Sequence, residues 1–94
     1  MAIEGQGGPP AQGVVANISE AGVCVWTDGG FHVGETLVLR LDFPQEPQPL
    51  QAAGRVVWSE RQPDEHGARR YGLQWAHTSG PQHERLRNAI NTSP

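Results

Sequence analysis

The sequence predicts an all-β domain, a small antiparallel β-barrel followed by one short C-terminal helix. Turns are frequent, since the 94 residues include 12 Gly and 8 Pro, and frequent turns favour short strands over long helices. Residues 35–43 alternate between apolar and polar side chains, which is the period of a half-buried strand. The period becomes helical only near the end of the chain.

The N-terminal part is expected to contain a tail and the first strands. Residues 1–12 are rich in Gly, Pro and Gln, so we expect a flexible tail over 1–12 and the folded domain over 13–91. A strand that opens with two valines then runs into the segment NISEAG at 17–22. The next strand, at 23–26, is apolar on both faces, which is typical of a strand covered on both sides.

The strand at 35–43 has the clearest pattern. One face carries only apolar side chains, those of Leu37, Leu39, Leu41 and Phe43. Arg40 and Asp42 fall on the opposite face, so we expect them to point to solvent. Pro44 ends the strand, because proline cannot donate to a strand ladder.

Two more strands and a helix complete the predicted fold. In the strand at 50–60 one face is shared by Gly54, Val56 and Trp58. In the last strand one face is formed by Tyr71, Leu73 and Trp75 and the other by Gly72, Gln74 and Ala76. Gly72 lies inside that strand and indicates a close backbone approach or a bulge. A helix over about 80–91 is predicted by a capping box and an apolar stripe, formed by Ser79 with Gln82 and by Leu86, Ala89 and Ile90.

Several individual side chains are assigned from these patterns. The tryptophans, Trp26, Trp58 and Trp75, are expected in the core and at the barrel ends, and an exposed one would indicate a contact surface. Cys24 is expected to be a small buried apolar residue. Near the last loop we expect solvated arginines, and the alternative is a basic rim beside a ligand site, made by Arg61, Arg69 and Arg70.

The composition argues against several classes of function. The net charge of −3 is unfavourable for binding a nucleic-acid polymer. We expect no membrane insertion, because no apolar run approaches the roughly 20 residues that span a bilayer. The start of the chain does not resemble a secretory signal, and the single cysteine fits a reducing compartment, so we expect a soluble cytoplasmic protein.

No catalytic or metal-binding constellation is apparent in the sequence. The histidines are scattered and lack cysteine partners or paired helical spacing, so we expect no metal site and no cofactor at His32, His66, His77 or His83. No nucleophile has an evident base, so we do not expect an enzyme.

The segment NISEAG allows two interpretations. As a turn, it uses Asn and Ser to bond local backbone groups and Gly for its backbone freedom. As a ligand site, it offers the Asn17 amide as donor and acceptor, the Ser19 hydroxyl, and an unobstructed backbone at Gly22. These groups together could read the edge of a nucleobase.

Five pieces of the sequence, in order, resemble the PilZ domain family of bacteria over about 13–91. The first is the Asn-x-Ser-x-x-Gly motif of residues 17–22, and the second is Gly34 followed by the alternating run ETLVLRLDFP. The others are the segment GRVVW at 54–58, the segment YGLQW at 71–75 and a short helix near Leu86. No single piece is specific, but their order and spacing are.

The resemblance implies a fold and a ligand. PilZ domains are six-stranded β-barrels followed by a helix, and many bind the second messenger cyclic di-GMP. They do so with an Arg-x-x-x-Arg segment upstream of the first strand together with the (Asp/Asn)-x-Ser-x-x-Gly motif. Carried over to this sequence, that motif makes Asn17, Ser19 and Gly22 the ligand-binding residues.

The arginine half of that site is missing here. Residues 1–39 contain neither Arg nor Lys, so any binding of cyclic di-GMP is expected to be weak. The alternative is a ligand-independent protein–protein interaction module of the PilZ-like type, and a protein partner is expected in either case.

The upstream space is also short, so we expect the family's first strand to be absent or replaced by the tail. A barrel without that strand would have an open edge, and pairing of two such edges is the basis of a homodimer hypothesis.

Overall fold

The computed structural model describes residues 2–5, 11–76 and 80–92. They form six strands and one helix: β1 (Ala2–Glu4), β2 (Ala11–Ile18), β3 (Gly22–Thr27), β4 (Thr36–Leu41), β5 (Leu50–Ser59), β6 (Arg69–Trp75) and α1 (Pro81–Thr92). The strands close into a barrel in the order β1-β2-β3-β6-β5-β4, and every neighbouring pair is antiparallel. The predicted antiparallel barrel with a single C-terminal helix is confirmed.

The N-terminal residues correct one prediction. Strand β1 pairs with β2 on one side and with β4 on the other, and Ile3 lies opposite both Ala11 and Leu39. The Ile3 side chain is 0% exposed and belongs to the core. The flexible tail expected over 1–12 is therefore wrong for Ala2–Glu4 and for the first residues of β2, whereas residues 6–10 lie outside the described part of the chain.

The physical reason for this error is the short length of β1. Three residues are too few to show an alternating pattern, and the strand is held by partners far along the chain. Residues of the predicted tail thus form the strand that precedes β2. Since β1 closes the barrel, the edge on which the homodimer hypothesis rested is occupied by β1 at Ala11 and Gln12 of β2 and at residues 38–40 of β4.

Strand β4 follows its predicted pattern. Leu37, Leu39 and Leu41 are buried while Arg40 is exposed, and Phe43 packs against the core from just beyond the strand. The interior also receives buried apolar side chains from β1, β3, β5, β6 and the helix, namely Ile3, Val23, Val25, Leu50, Val56, Tyr71, Leu73, Trp75, Leu86 and Ala89. Strand β2 contributes partly buried side chains, those of Ala11, Val15 and Ile18. One barrel interior therefore forms the hydrophobic core.

Helix α1 begins at Pro81, close to the predicted start, and in its first turn the Glu84 N–H donates to the Gly80 carbonyl at 3.1 Å. The predicted apolar stripe is confirmed, since Leu86 and Ala89 are buried and Ile90 packs against the same cluster. The predicted capping box stays a prediction, because Ser79 and the side chain of Gln82 lie outside the described part of the chain.

We expect Ile3→Ala to destabilise the protein by about 2–5 kcal/mol, as for other fully buried large-to-small changes. A residue of a flexible tail would show no such effect. Gln12→Ala is the matched control, because Gln12 is close in the sequence but its side chain is exposed. The free energy of unfolding from chemical denaturation tests this, and equal, small effects of the two changes would mean that β1 is not held in the barrel.

Candidate functional site

The segment from Asn17 to Gly22 is a tight turn between β2 and β3. The Ser19 N–H donates to the Gly22 carbonyl at 2.9 Å. The Ser19 hydroxyl oxygen accepts from the backbone N–H groups of Ala21 and Gly22 at 3.3 and 3.4 Å. The turn interpretation therefore describes the local structure, and both Asn17 and Ser19 remain exposed at the surface.

The turn is anchored to the last strand and to the helix. The buried Trp75 indole needs a hydrogen-bond acceptor, and its Nε1–H donates to the Ser19 carbonyl at 3.0 Å. The Trp75 N–H donates to the Ala21 carbonyl at 3.3 Å. The Asn91 side-chain amide donates to the Glu20 carboxylate at 2.9 Å, which joins the turn to α1. These contacts fix the position of the turn relative to β6.

The packing of β3 against β6 by itself requires a glycine at position 22. A Cβ atom added there would overlap the Leu73 carbonyl oxygen of the neighbouring strand β6. The glycine thus permits close pairing of β3 with β6. Because this contact alone explains a glycine at position 22, a part of Gly22 in ligand binding stays a prediction.

One row of outward positions crosses four neighbouring strands. Asn17 on β2 lies opposite Cys24 on β3, Cys24 lies opposite Gly72 on β6, and Gly72 lies opposite Trp58 on β5. This row forms the floor of a shallow groove of about 260 Å³, and Ser19 and Gly22 also line it. The structure therefore brings the three predicted ligand-binding residues to one groove.

The position of Trp58 corrects the predicted face of β5. Gly54 and Val56 are buried as predicted, but the strand register shifts between Val56 and Trp58. A bulge adds a residue to one strand and re-aims the side chains that follow it. Val57 and Trp58 are consequently both exposed, with 45% of the Trp58 surface accessible to solvent.

The Trp58 indole lies across Gly72. A Cβ atom added at Gly72 would overlap the indole at Nε1. The close approach predicted from a glycine inside the last strand is therefore confirmed, and Trp58 is the approaching group. Gly72 was the sequence signal that something lies over β6, but it did not identify Trp58.

The other assigned residues have mixed outcomes. Trp75 is 5% exposed, as predicted for a core position, whereas Trp26 is only half-buried. Cys24 is half-buried and faces the groove, so it is less enclosed than predicted.

The arginines near the groove occupy different faces and rows. Arg70 lies two residues before Gly72 on β6, and its guanidinium carbon is 5.9 Å from the centroid of the Trp26 ring. Glu60 pairs with it, since Arg70 Nη2 is 3.0 Å from a Glu60 carboxylate oxygen. The hydrogen bonds from the Arg70 side chain and backbone lower the pKa of the Glu60 carboxyl. Arg55 lies on the other side of the groove floor, opposite Gln74, which lines the groove.

A second groove, of about 370 Å³, offers less chemistry. It lies between β2 and the segment after β4, and its apolar lining includes Val14, Val15, Ile18, Leu41 and Phe43. Among the described residues that line it, Asp42 is the one that is ionisable. The groove beside Asn17 and Ser19 is therefore the candidate binding site.

Two kinds of feature are absent from the described residues. Over 2–5, 11–76 and 80–92, no group of three or more His, Cys, Asp or Glu side chains could hold a metal ion. His77 lies outside these ranges. Within the same residues, no helix has the length and apolar character needed to cross a membrane.

We expect Gly72→Ala to destabilise the protein by about 1–3 kcal/mol, because the new methyl group must displace the Trp58 indole. The same change in a Trp58→Ala background has no indole to displace, so its effect should be much smaller. Chemical denaturation of the four proteins measures this coupling. Equal effects of Gly72→Ala in both backgrounds would show that the indole does not lie over β6.

The comparison with known families covers nearly the whole chain. The model of the PilZ domain family matches residues 2–92, a range that includes β1 and the helix as well as the groove. No curated protein and no solved structure gives a significant match. The chain therefore belongs to the PilZ domain family, which comprises binding and adaptor domains of cyclic di-GMP signalling.

Proposed function

We propose that this chain is a bacterial cytoplasmic receptor or adaptor that binds cyclic di-GMP weakly in the groove beside the Asn17–Gly22 turn. The observation that carries the proposal is the meeting of Asn17, Ser19 and the exposed Trp58 at one groove on the barrel surface. A barrel wall that is rigid through its backbone pairing suits this role, because its side chains need little rearrangement on binding.

The groove supplies chemistry suited to a guanine base. The Asn17 amide offers a donor and an acceptor to the edge of the base, and the Ser19 hydroxyl offers a polar group beside it. The Trp58 indole offers an aromatic surface, and stacking of a base on an aromatic side chain contributes about 1–3 kcal/mol. Gly22 contributes open backbone at the groove wall.

The expected weakness of binding comes from charge. Cyclic di-GMP carries two phosphates, and no Arg or Lys lies before Arg40 to contact them. A hydrogen bond to a charged group contributes about 1.5–3 kcal/mol. Losing two such bonds is enough to move a micromolar ligand toward millimolar affinity, since each ~1.4 kcal/mol is a factor of ten.

The second candidate is a ligand-independent protein–protein interaction module. It is supported by exposed apolar side chains on the outer wall, those of Val14, Val57 and Trp58. Exposed tryptophan is a frequent anchor of protein interfaces. On this alternative the turn positions the wall, and Trp58 contacts a partner protein instead of a base.

Calorimetric titration with cyclic di-GMP is expected to give a dissociation constant between micromolar and millimolar. Ser19→Ala should weaken binding by about twofold to tenfold, the value of one neutral hydrogen bond. Asn17→Ala tests the same groove without altering the hydroxyl contacts within the turn. Gln51→Ala, an exposed position on β5 away from the groove, is the control. Sub-micromolar binding by the wild-type chain would contradict the charge argument.

Restoring the missing arginines is expected to strengthen binding. The double variant Gln6→Arg/Pro10→Arg creates an Arg-x-x-x-Arg segment just ahead of β2. Two charge-assisted bonds should lower the dissociation constant by about a hundredfold or more. A Gln6→Ala/Pro10→Ala variant controls for the backbone change. The absence of binding even with the arginines present would favour the interaction module.

A further inference from the structure

We propose that Arg70 is the cation that contacts a phosphate of the bound nucleotide, in place of the absent upstream arginines. This inference rests on the proposed function of the groove. It assigns a ligand role to a residue of β6 that lies outside the Asn-x-Ser-x-x-Gly motif.

The position of Arg70 follows from strand geometry. Arg70 and Gly72 are two residues apart on β6, so their Cα atoms are about 7 Å apart and both positions face outward. Arg70 lies opposite Trp26 on β3, and Gly72 lies opposite Cys24. The row containing Arg70 is therefore the outward row next to the floor of the groove, and Arg70 and Trp26 border the groove without lining it.

The neighbouring arginines are less suited to this role. Arg69 lies opposite Thr27, whose side chain is buried, so Arg69 occupies the inward set of positions on β6. Arg61 lies in the loop after β5, away from the residues that line the groove. Arg55 lies opposite Gln74, which lines the groove, but its guanidinium extends toward Gly34, where an added Cβ atom would be 4.0 Å from Arg55 Nη2.

The Arg70 side chain already makes two contacts within the domain. Its guanidinium lies near the Trp26 ring, and its Nη2 donates to Glu60 at 3.0 Å. The two residues are also paired through their backbones, because the Glu60 N–H donates to the Arg70 carbonyl at 3.0 Å. An arginine held in place in this way loses less conformational freedom when it binds a phosphate.

Glu60 has two opposing effects on this site. One carboxylate oxygen accepts the Arg70 backbone N–H at 2.8 Å, and the other accepts the guanidinium. The carboxylate therefore helps to hold the side chain in place, but its negative charge offsets the cation and repels an incoming phosphate. Half of the Arg70 side chain and about a third of that of Glu60 are exposed, so the ion pair is exchangeable with an anionic ligand.

The test compares cyclic di-GMP binding by the wild-type chain and the Arg70→Gln, Arg69→Gln and Glu60→Gln variants. Arg70→Gln should weaken binding by about tenfold or more, because one charge-assisted contact is lost. It should also flatten the dependence of the affinity on salt concentration. Arg69→Gln keeps the same net charge as Arg70→Gln and should bind like the wild type.

Glu60→Gln should strengthen binding by up to about fivefold, as expected when an exposed ion pair no longer competes for the guanidinium. The amide oxygen of the glutamine can still accept the Arg70 backbone N–H, so the strand pairing is preserved. Melting temperatures of all variants check that the barrel is intact.

The Ser19→Ala variant separates this inference from the proposed function. Binding that is weakened by Ser19→Ala but equally affected by Arg70→Gln and Arg69→Gln would overturn the role of Arg70 and leave the nucleotide site standing. If neither the wild type nor Glu60→Gln binds at millimolar ligand, both proposals are wrong. Binding that responds to Arg70→Gln and Glu60→Gln in opposite directions would support both.

Discussion

Closure of the barrel by three residues is the constraint on which the rest of this structure depends. Strand β1 supplies the only backbone bridge between β2 and β4 among the described residues, and its Ile3 side chain fills part of the interior. Closure removes the sheet edges and fixes the strand registers around the ring. Those registers align Asn17, Cys24, Gly72 and Trp58 in one row. The groove thus lies on the wall formed by β2, β3, β6 and β5, and the pairing of these strands sets the row.

Because of the bulge in β5, Trp58 faces the surface groove and not the barrel interior. Without it, Trp58 would continue the inward set that contains Gly54 and Val56. With it, the indole leaves the core and lies across Gly72 on the neighbouring strand. The core tolerates this change because Tyr71, Leu73 and Trp75 fill the adjacent interior from β6. One inserted residue therefore gives the outer wall its aromatic surface.

The parts of the fold that could be predicted are those specified by local pattern. The leucines of β4 alternate over a full strand, and the stripe of α1 repeats at helical spacing, so both were readable from neighbouring residues. Strand β1 is too short to show a period, and its stability comes from residues more than thirty positions away in the sequence. The outward turn of Trp58 likewise depends on a register shift against β6, which no local pattern encodes.

The candidate site divides in the same way. Asn17, Ser19 and Gly22 lie within six residues and form a recognisable motif. The pairing of Arg70 with Glu60 joins residues ten positions apart, and their contact depends on the pairing of β5 with β6. The structural reason for Gly22, a close approach to the Leu73 carbonyl, also involves a distant strand. The sequence alone could identify the turn but not the contacts that strands β5 and β6 make beside it.

The contact between Trp58 and Gly72 couples the substitutions that are tolerated at two positions far apart in the sequence. Any side chain at position 72 occupies the space that the indole needs, so the two positions cannot both carry large residues. During divergence of this barrel, a larger residue at 72 becomes acceptable only after the tryptophan at 58 has been replaced or turned away. We therefore expect these positions to vary together among related domains, with the aromatic wall retained only in lineages that keep the glycine.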